Sequence, residues 1–258
     1  MQVIQDSLVL YRNPDTAVQA TFEREDPRQL AGLLPATVQA VGVRFRLRWP
    51  RPRFFAQEAV PILIELADAK RLLVAFPQSG GAVMRVINPT PAEVTRIWQA
   101  GSAAPAKGRS SPPLPFMSSE RSDRWWRYQW RKQELQRRLG QDVFVPTLVG
   151  VATEGRSDEL HLQITWTDAV PLVIPECDFI TLLEGAIPSE FKVRGTASHD
   201  DVRRALAPFL DTIDVEDVGT LPLLKPKQAK RARSVFQSLP VRQVIFRPSD
   251  PGAWMDVR

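Results

Sequence analysis

Glu65, Asp68 and Lys70 are the residues of this 258-residue chain whose types and spacing come nearest to a catalytic constellation. They follow the apolar run Ile62-Leu63-Ile64, and an acid placed two residues before a lysine suits metal-assisted hydrolysis. In such chemistry carboxylates hold Mg²⁺ while the ammonium steadies an attacking water. The run itself reads as a strand over 57–66 with a tight turn at Ala67-Asp68-Ala69-Lys70, where Asp and Lys are ordinary. Other reactive groups are sparse. His161 and His199 have no partner at metal-ligand spacing, and one cysteine excludes both an internal disulfide and a cysteine-based zinc site. Cys177 stands between Glu176 and Asp178, whose charges raise a thiol pKa and make a poor nucleophile. There is no Gly-rich phosphate loop and no Gly-x-Ser-x-Gly elbow. No cofactor and no metal are expected, and the balance is against an enzyme.

The spacing Asp68-Ala69-Lys70 resembles the acid-x-Lys half of metal-dependent nuclease sites. That resemblance implies carboxylates on Mg²⁺ and Lys70 beside the nucleophilic water. The upstream aspartate of the pattern has no identifiable counterpart, so a metal-dependent nuclease is the most distant of three readings.

Two basic helices carry the second reading. The first, Ser119–Leu139, contains Arg124-Trp125-Trp126-Arg127-Tyr128-Gln129-Trp130-Arg131-Lys132. At 100° per residue, Arg124, Arg127, Arg131 and Arg138 fall within about 60° of arc. Trp126 and Trp130 lie near the opposite side, and Trp125, Tyr128, Leu135 and Leu139 fill much of the rest. Arginines among aromatics can bind single-stranded nucleic acid, but a stacking platform needs rings and cations on one face. The segregation favours an amphipathic helix that buries three tryptophans and leaves its arginines in water. The second cluster, Lys225 to Arg233, groups Lys227, Lys230 and Arg231 opposite an apolar stripe of Ala229, Ala232, Phe236 and Leu239. This is the pattern of a solvated helix face, and no helix-turn-helix, zinc-finger or single-strand RNA motif accompanies it.

These residues need a framework, and the charge distribution outlines one. Residues 1–100 carry 12 basic and 9 acidic groups, 101–140 carry 9 and 3, 141–220 carry 5 and 15, and 221–258 carry 8 and 2. An acidic segment is thus bracketed by basic ones that can fold back on it. No apolar run approaches a membrane span, and the N-terminus lacks the features of a signal peptide, which points to the cytoplasm. The excess of Arg over Lys, with many Ala and Pro, is that of a GC-rich bacterial chain.

Three echoes in the same order suggest duplication. Glu58-Ala59-Val60-Pro61-Ile62-Leu63-Ile64 is matched by Asp168-Ala169-Val170-Pro171-Leu172-Val173-Ile174. Met84-Arg85-Val86 is matched by Phe191-Lys192-Val193, and the Thr90–Arg96 stretch by Ser198–Arg204. Thr90 and Ser198 each look like the cap of a helix. The alternation Val43-Arg44-Phe45-Arg46-Leu47 is that of a strand with one solvated face. The expected fold is α+β: two diverged tandem modules of mainly antiparallel strands with flanking helices, plus a basic C-terminal helix-strand extension. The boundaries are 1–100, a Pro/Gly/Ser/Ala-rich linker at 101–118, an acidic second module at 119–218, and the extension at 219–258. The leading functional expectation is a non-enzymatic adaptor or accessory subunit of a bacterial assembly, with other protein subunits as partners. The alternative is a nucleic-acid-binding subunit of an anti-phage or RNA-processing complex, using Arg124, Arg127, Arg131, Arg138, Lys227, Lys230 and Arg231.

Overall fold

The computed structural model describes residues 2–5, 8–48, 50–76, 84–103, 114–154, 158–185 and 190–257. They gather into two compact units, Met1–Pro113 and Leu114–Arg258, each mixing helices with mainly antiparallel sheets. The class is α+β. Gly80-Gly81 and Gly155, whose glycines suit turns, and most of the linker lie outside the described residues.

In the first unit β1 (Gln2–Gln5), β2 (Leu8–Arg12), β3 (Gln19–Arg24) and β4 (Val43–Leu47) form an antiparallel meander in chain order. The alternation in β4 sends Phe45 against Phe22, with ring centroids 5.1 Å apart, and turns Arg44 and Arg46 to Glu25 and Glu23. Between β3 and β4 the chain forms a pair of 3-10 turns, Pro27–Gln29 and Ala31–Leu33.

The strand expected over 57–66 is instead part of helix α1, Phe54–Lys70. Its burial has helical spacing: Ala56, Val60, Leu63, Ile64 and Ala67 face inward, while Pro61, Glu65 and Asp68 are exposed. Pro61 is tolerated on the solvent side. Glu58 is the exception on the inner side, 5% exposed, accepting from Tyr11 Oη at 2.8 Å and Thr16 Oγ1 at 3.0 Å. Burial and then the Glu58 charge push the Tyr11 phenol above its ordinary range. Hairpin β5 (Val74–Phe76) and β6 (Arg85–Ile87) leads to α2, Pro91–Ala103, where Thr90 Oγ1 accepts from the Glu93 amide at 3.3 Å.

The second unit opens with β7 (Phe116–Ser118) and α3 (Ser119–Leu139), whose bounds are those read from the sequence. Its main sheet has the order β12 (Lys192–Ser198), β11 (Phe179–Glu184), β9 (His161–Thr167), β8 (Val149–Thr153), β15 (Phe246–Pro248). Only the central β9–β11 pair of this sheet is parallel. One face, with Leu162, Ile164, Trp166, Ile180 and Leu182, is fully buried. It meets α4 (His199–Leu206) and α5 (Pro226–Ser238), where the Trp166 ring sits edge-on to Phe236 at 4.8 Å. The sheet curls strongly. Arg242 exchanges both backbone hydrogen bonds with Thr196 of β12, yet four residues later Phe246 pairs with β8.

A second sheet has β10 (Leu172–Val173) at its edge, beside β14 (Gly219–Leu224) and β13 (Asp211–Val215). Pro171 before β10 agrees with that edge position. Residues 219–258, read from the sequence as an extension, supply β14, α5, β15 and β16 (Met255–Val257). β14 pairs with β13, β15 with β8, and β16 with β7. Trp254, just before β16, is fully buried and edge-on to Trp125 at 5.1 Å.

The Ala-Val-Pro echo is overturned as a structural frame. Its first copy is the middle of helix α1, and its second is a turn followed by β10. Asp168 and Ala169 take φ of 42° and 54°, a turn conformation that no helix interior contains. The other two echoes do fall on like elements, a strand followed by a capped helix: β6 with α2, and β12 with α4.

Candidate interaction surfaces

Helix α3 is well delimited. Ser118 Oγ accepts from the Arg121 amide at 3.3 Å, and Gly140 closes the helix with φ 74°. Its inner face carries Trp125, Tyr128 and Leu135, with Ser122, Asp123 and Gln129 buried beside them. Trp125 Nε1 donates to Leu148 O at 2.7 Å and Tyr128 Oη to Pro146 O at 2.8 Å, so the buried polar tips are satisfied.

The arginines expected in water are mostly engaged by the carboxylates of the same unit. Arg121 reaches Glu159 at 3.3 Å and Asp178 at 3.0 Å; Arg124 reaches Glu120 at 3.0 Å and Glu176 at 2.6 Å. Arg131 meets Glu134 at 3.2 Å, Glu216 at 2.7 Å and Asp217 at 2.6 Å. Arg138 donates to the Asp214 carbonyl of β13 at 2.7 Å. Acidic turns at 176–178 and 216–217 thus lie along the helix and use up the charge that would otherwise face a ligand. Arg127 and Arg137 differ: both are exposed and form no ion pair among the described residues.

The burial of three tryptophans on α3 is also corrected. Only Trp125 enters the core; Trp126 is half-buried and Trp130 is 46% exposed. The Trp126 and Trp130 rings lie 6.2 Å apart at 46°. The sheets contact less of the helix than its apolar arc would allow.

On α5 the stripe Ala229, Ala232, Phe236 and Leu239 is buried as read. Lys227 and Lys230 are exposed without ion pairs among the described residues. Arg231 donates to Gln228 Oε1 at 3.2 Å and lies over the Phe209 ring at 5.9 Å. Arg194 of β12, unsuspected from sequence, donates to the Phe236, Gln237 and Leu239 carbonyls at the end of α5. A helix end satisfied by a side chain from a distant strand leaves no local sequence signal.

Glu65, Asp68 and Lys70 are exposed in the last turns of α1, not at the end of a strand, so the scaffold of the nuclease pattern is absent there. No group of three or more His, Cys, Asp or Glu among the described residues is placed to hold a metal ion. Cys177 is a free cysteine whose thiol is pushed up by burial, with Asp178 and Glu176 adding to the effect. His161 Nδ1 lies 3.9 Å from Asp178 Oδ2, while the Asp178 carboxylate already accepts from Arg121 and the Leu162 amide. His199 is 7% exposed and its buried Nε2 has no hydrogen-bond partner. No helix among the described residues is long and apolar enough to cross a membrane. Comparison with family models, curated proteins and solved structures returns no match for this chain.

Proposed function

We propose that the chain is a non-enzymatic adaptor or accessory subunit of a bacterial multiprotein assembly, acting in the cytoplasm through protein contacts. The observation that supports it is an apolar exposure in the second unit. Val193 is 63% exposed and Ile245 is 71% exposed, with Phe191 also open to solvent. Val193 lies on β12 three residues before Thr196, which bridges Arg242; Ile245 follows Arg242 by three residues, and its carbonyl accepts from the Glu154 amide beside β8. Large apolar side chains left this exposed on a sheet suit burial by a protein partner. By contrast, Arg124 and Arg131 of α3 are engaged internally and offer little to an outside ligand.

The test is affinity purification of the tagged full-length chain from its native cell, beside variants Val193→Asp and Ile245→Asp. Both positions are exposed, so each substitution should change stability by no more than about 0.5 kcal/mol. The reading requires stoichiometric partner proteins with the parent chain and their loss from both variants. A parent chain that purifies alone, or variants that keep the same partners, would overturn it.

A further inference from the structure

We propose that a row on the exposed side of α3 binds single-stranded nucleic acid without sequence preference, a contact separate from the protein surface above. Trp126, Trp130 and Arg137 follow one another at steps of four and seven residues, which keeps them within about 40° of arc over a length of about 16 Å. Arg127 flanks the row, about 60° from Trp130. Segregation of rings from cations on a helix works against a stacking platform. It holds for Arg124, Arg131 and Arg138, which turn to carboxylates or a carbonyl of their own unit. It does not hold for Arg127 and Arg137, which remain exposed near the exposed Trp130 and the half-buried Trp126.

The pattern suits a nucleotide strand better than an acidic peptide. A peptide carboxylate answers the arginines alone, whereas a strand presents phosphates and flat bases together. The two indoles, tilted at 46° and 6.2 Å apart, are not stacked face to face on each other, and Trp130 has nearly half its surface free. Glu134, which borders the row, is held by Arg131 at 3.2 Å and so repels an incoming phosphate less. The chain's formal net charge of +5 favours the approach of a polyanion. Bases would lie on Trp130 and Trp126, and phosphates at Arg127 and Arg137.

The experiment is a fluorescence-anisotropy titration of the full-length chain into labelled mixed-sequence DNA and RNA single strands. It is run between about 50 mM and about 200 mM salt, where phosphate contacts show as a slope of log affinity against log salt. Arg127→Gln and Arg137→Gln should each reduce that slope by about 0.7, the increment for one phosphate contact on a single strand. Trp130→Ala should weaken binding about tenfold with the slope unchanged, and Trp130→Phe should recover most of the loss. Circular dichroism melts establish that each variant is folded. Three results would overturn the proposal: no binding at the lowest salt, binding indifferent to all four substitutions, or displacement by polyglutamate as effective as by unlabelled strand. The last would identify the row as a site for acidic polypeptide.

Discussion

Arg131 of α3 donates to Asp217 Oδ2 at 2.6 Å, and this pair ties the helix to the turn between β13 and β14. Glu216 at 2.7 Å and Glu134 at 3.2 Å complete a ring of three carboxylates around one guanidinium. Three residues C-terminal to Glu134's neighbour Leu135, Arg138 fastens the same hairpin by its contact with the Asp214 carbonyl. A helix face that looks like a ligand surface in the sequence is therefore a clamp in the fold.

The clamp predicts a measurable coupling. A double-mutant cycle of Arg131→Gln and Asp217→Asn should give an interaction of roughly 0.5–1 kcal/mol in urea unfolding, since both partners touch solvent. Asn is the appropriate partner change because Asp217 has φ 61°, a conformation Asn adopts readily. Raising the salt should shrink the coupling. A coupling indistinguishable from zero at low salt would show that the pair contributes no stability.

The C-terminal segment is predicted to be structural. Trp254 is fully buried, edge-on to Trp125, and its indole donates to Ser122 Oγ at 3.3 Å. Trp254→Ala should cost about 3–5 kcal/mol, the loss for a large aromatic removed from a packed core. Removing residues 219–258 should prevent the second unit from folding, because β14, β15 and β16 would all leave their sheets. A truncated chain with an unchanged melting profile would restore the reading of this segment as an appendage.

What the sequence made legible was local. Ser118, Gly140 and the periodicity of Trp125, Tyr128 and Leu135 delimit α3, and Pro226 with Ala229, Ala232 and Phe236 delimits α5. Helix α1 was hidden because Val60-Pro61-Ile62-Leu63-Ile64 combines β-branched residues with a proline and so imitates an edge strand. The helical signal was in the spacing of Pro61, Glu65 and Asp68, which are exposed, and buried Glu58 obscured even that. Hairpin β13–β14 was missed because Asp211, Asp214, Glu216 and Asp217 break its apolar alternation. The surface was least legible. Whether an arginine is free depends on carboxylates 52 or 86 positions away, as for Arg124 with Glu176 and Arg131 with Asp217. Similarly, a helical wheel orders the tryptophans around an axis but does not say how wide an arc the sheets will cover.

Backbone conformation gives a stabilising substitution. Arg71 ends α1 in the left-handed region at φ 53°, with its amide donating to the Ala67 and Asp68 carbonyls. Its side chain is exposed, so little packing is lost on removal. Arg71→Gly should raise stability by about 0.5–1 kcal/mol, because glycine adopts this conformation without the Cβ penalty. Arg71→Ala, which keeps the Cβ, should not. Equal midpoints for the two variants in urea would refute the conformational explanation.

His199 predicts how stability responds to mild acid. Burial is the main cause that lowers its pKa below the ordinary 6.5, and Arg203 adds to it; Asp200, Glu176 and Asp178 act in the opposite direction without prevailing. The unpartnered Nε2 acts in the same direction as burial, since a proton there would find no acceptor. In the unfolded chain the same imidazole protonates near the ordinary histidine value of about 6.5. Between the two pKa values the unfolded state therefore binds more protons, and folding stability must fall as the pH falls. The loss begins as pH drops through about 6.5, proceeds at no more than about 1.4 kcal/mol per unit, and levels off once the folded-state pKa is passed. Urea unfolding at steps from about pH 7.5 to about pH 5.5 follows the onset of the loss. His199→Gln removes the titration, so its stability should be flatter with pH than that of the parent chain. Parallel pH profiles for the two proteins would show that His199 is not the group that titrates.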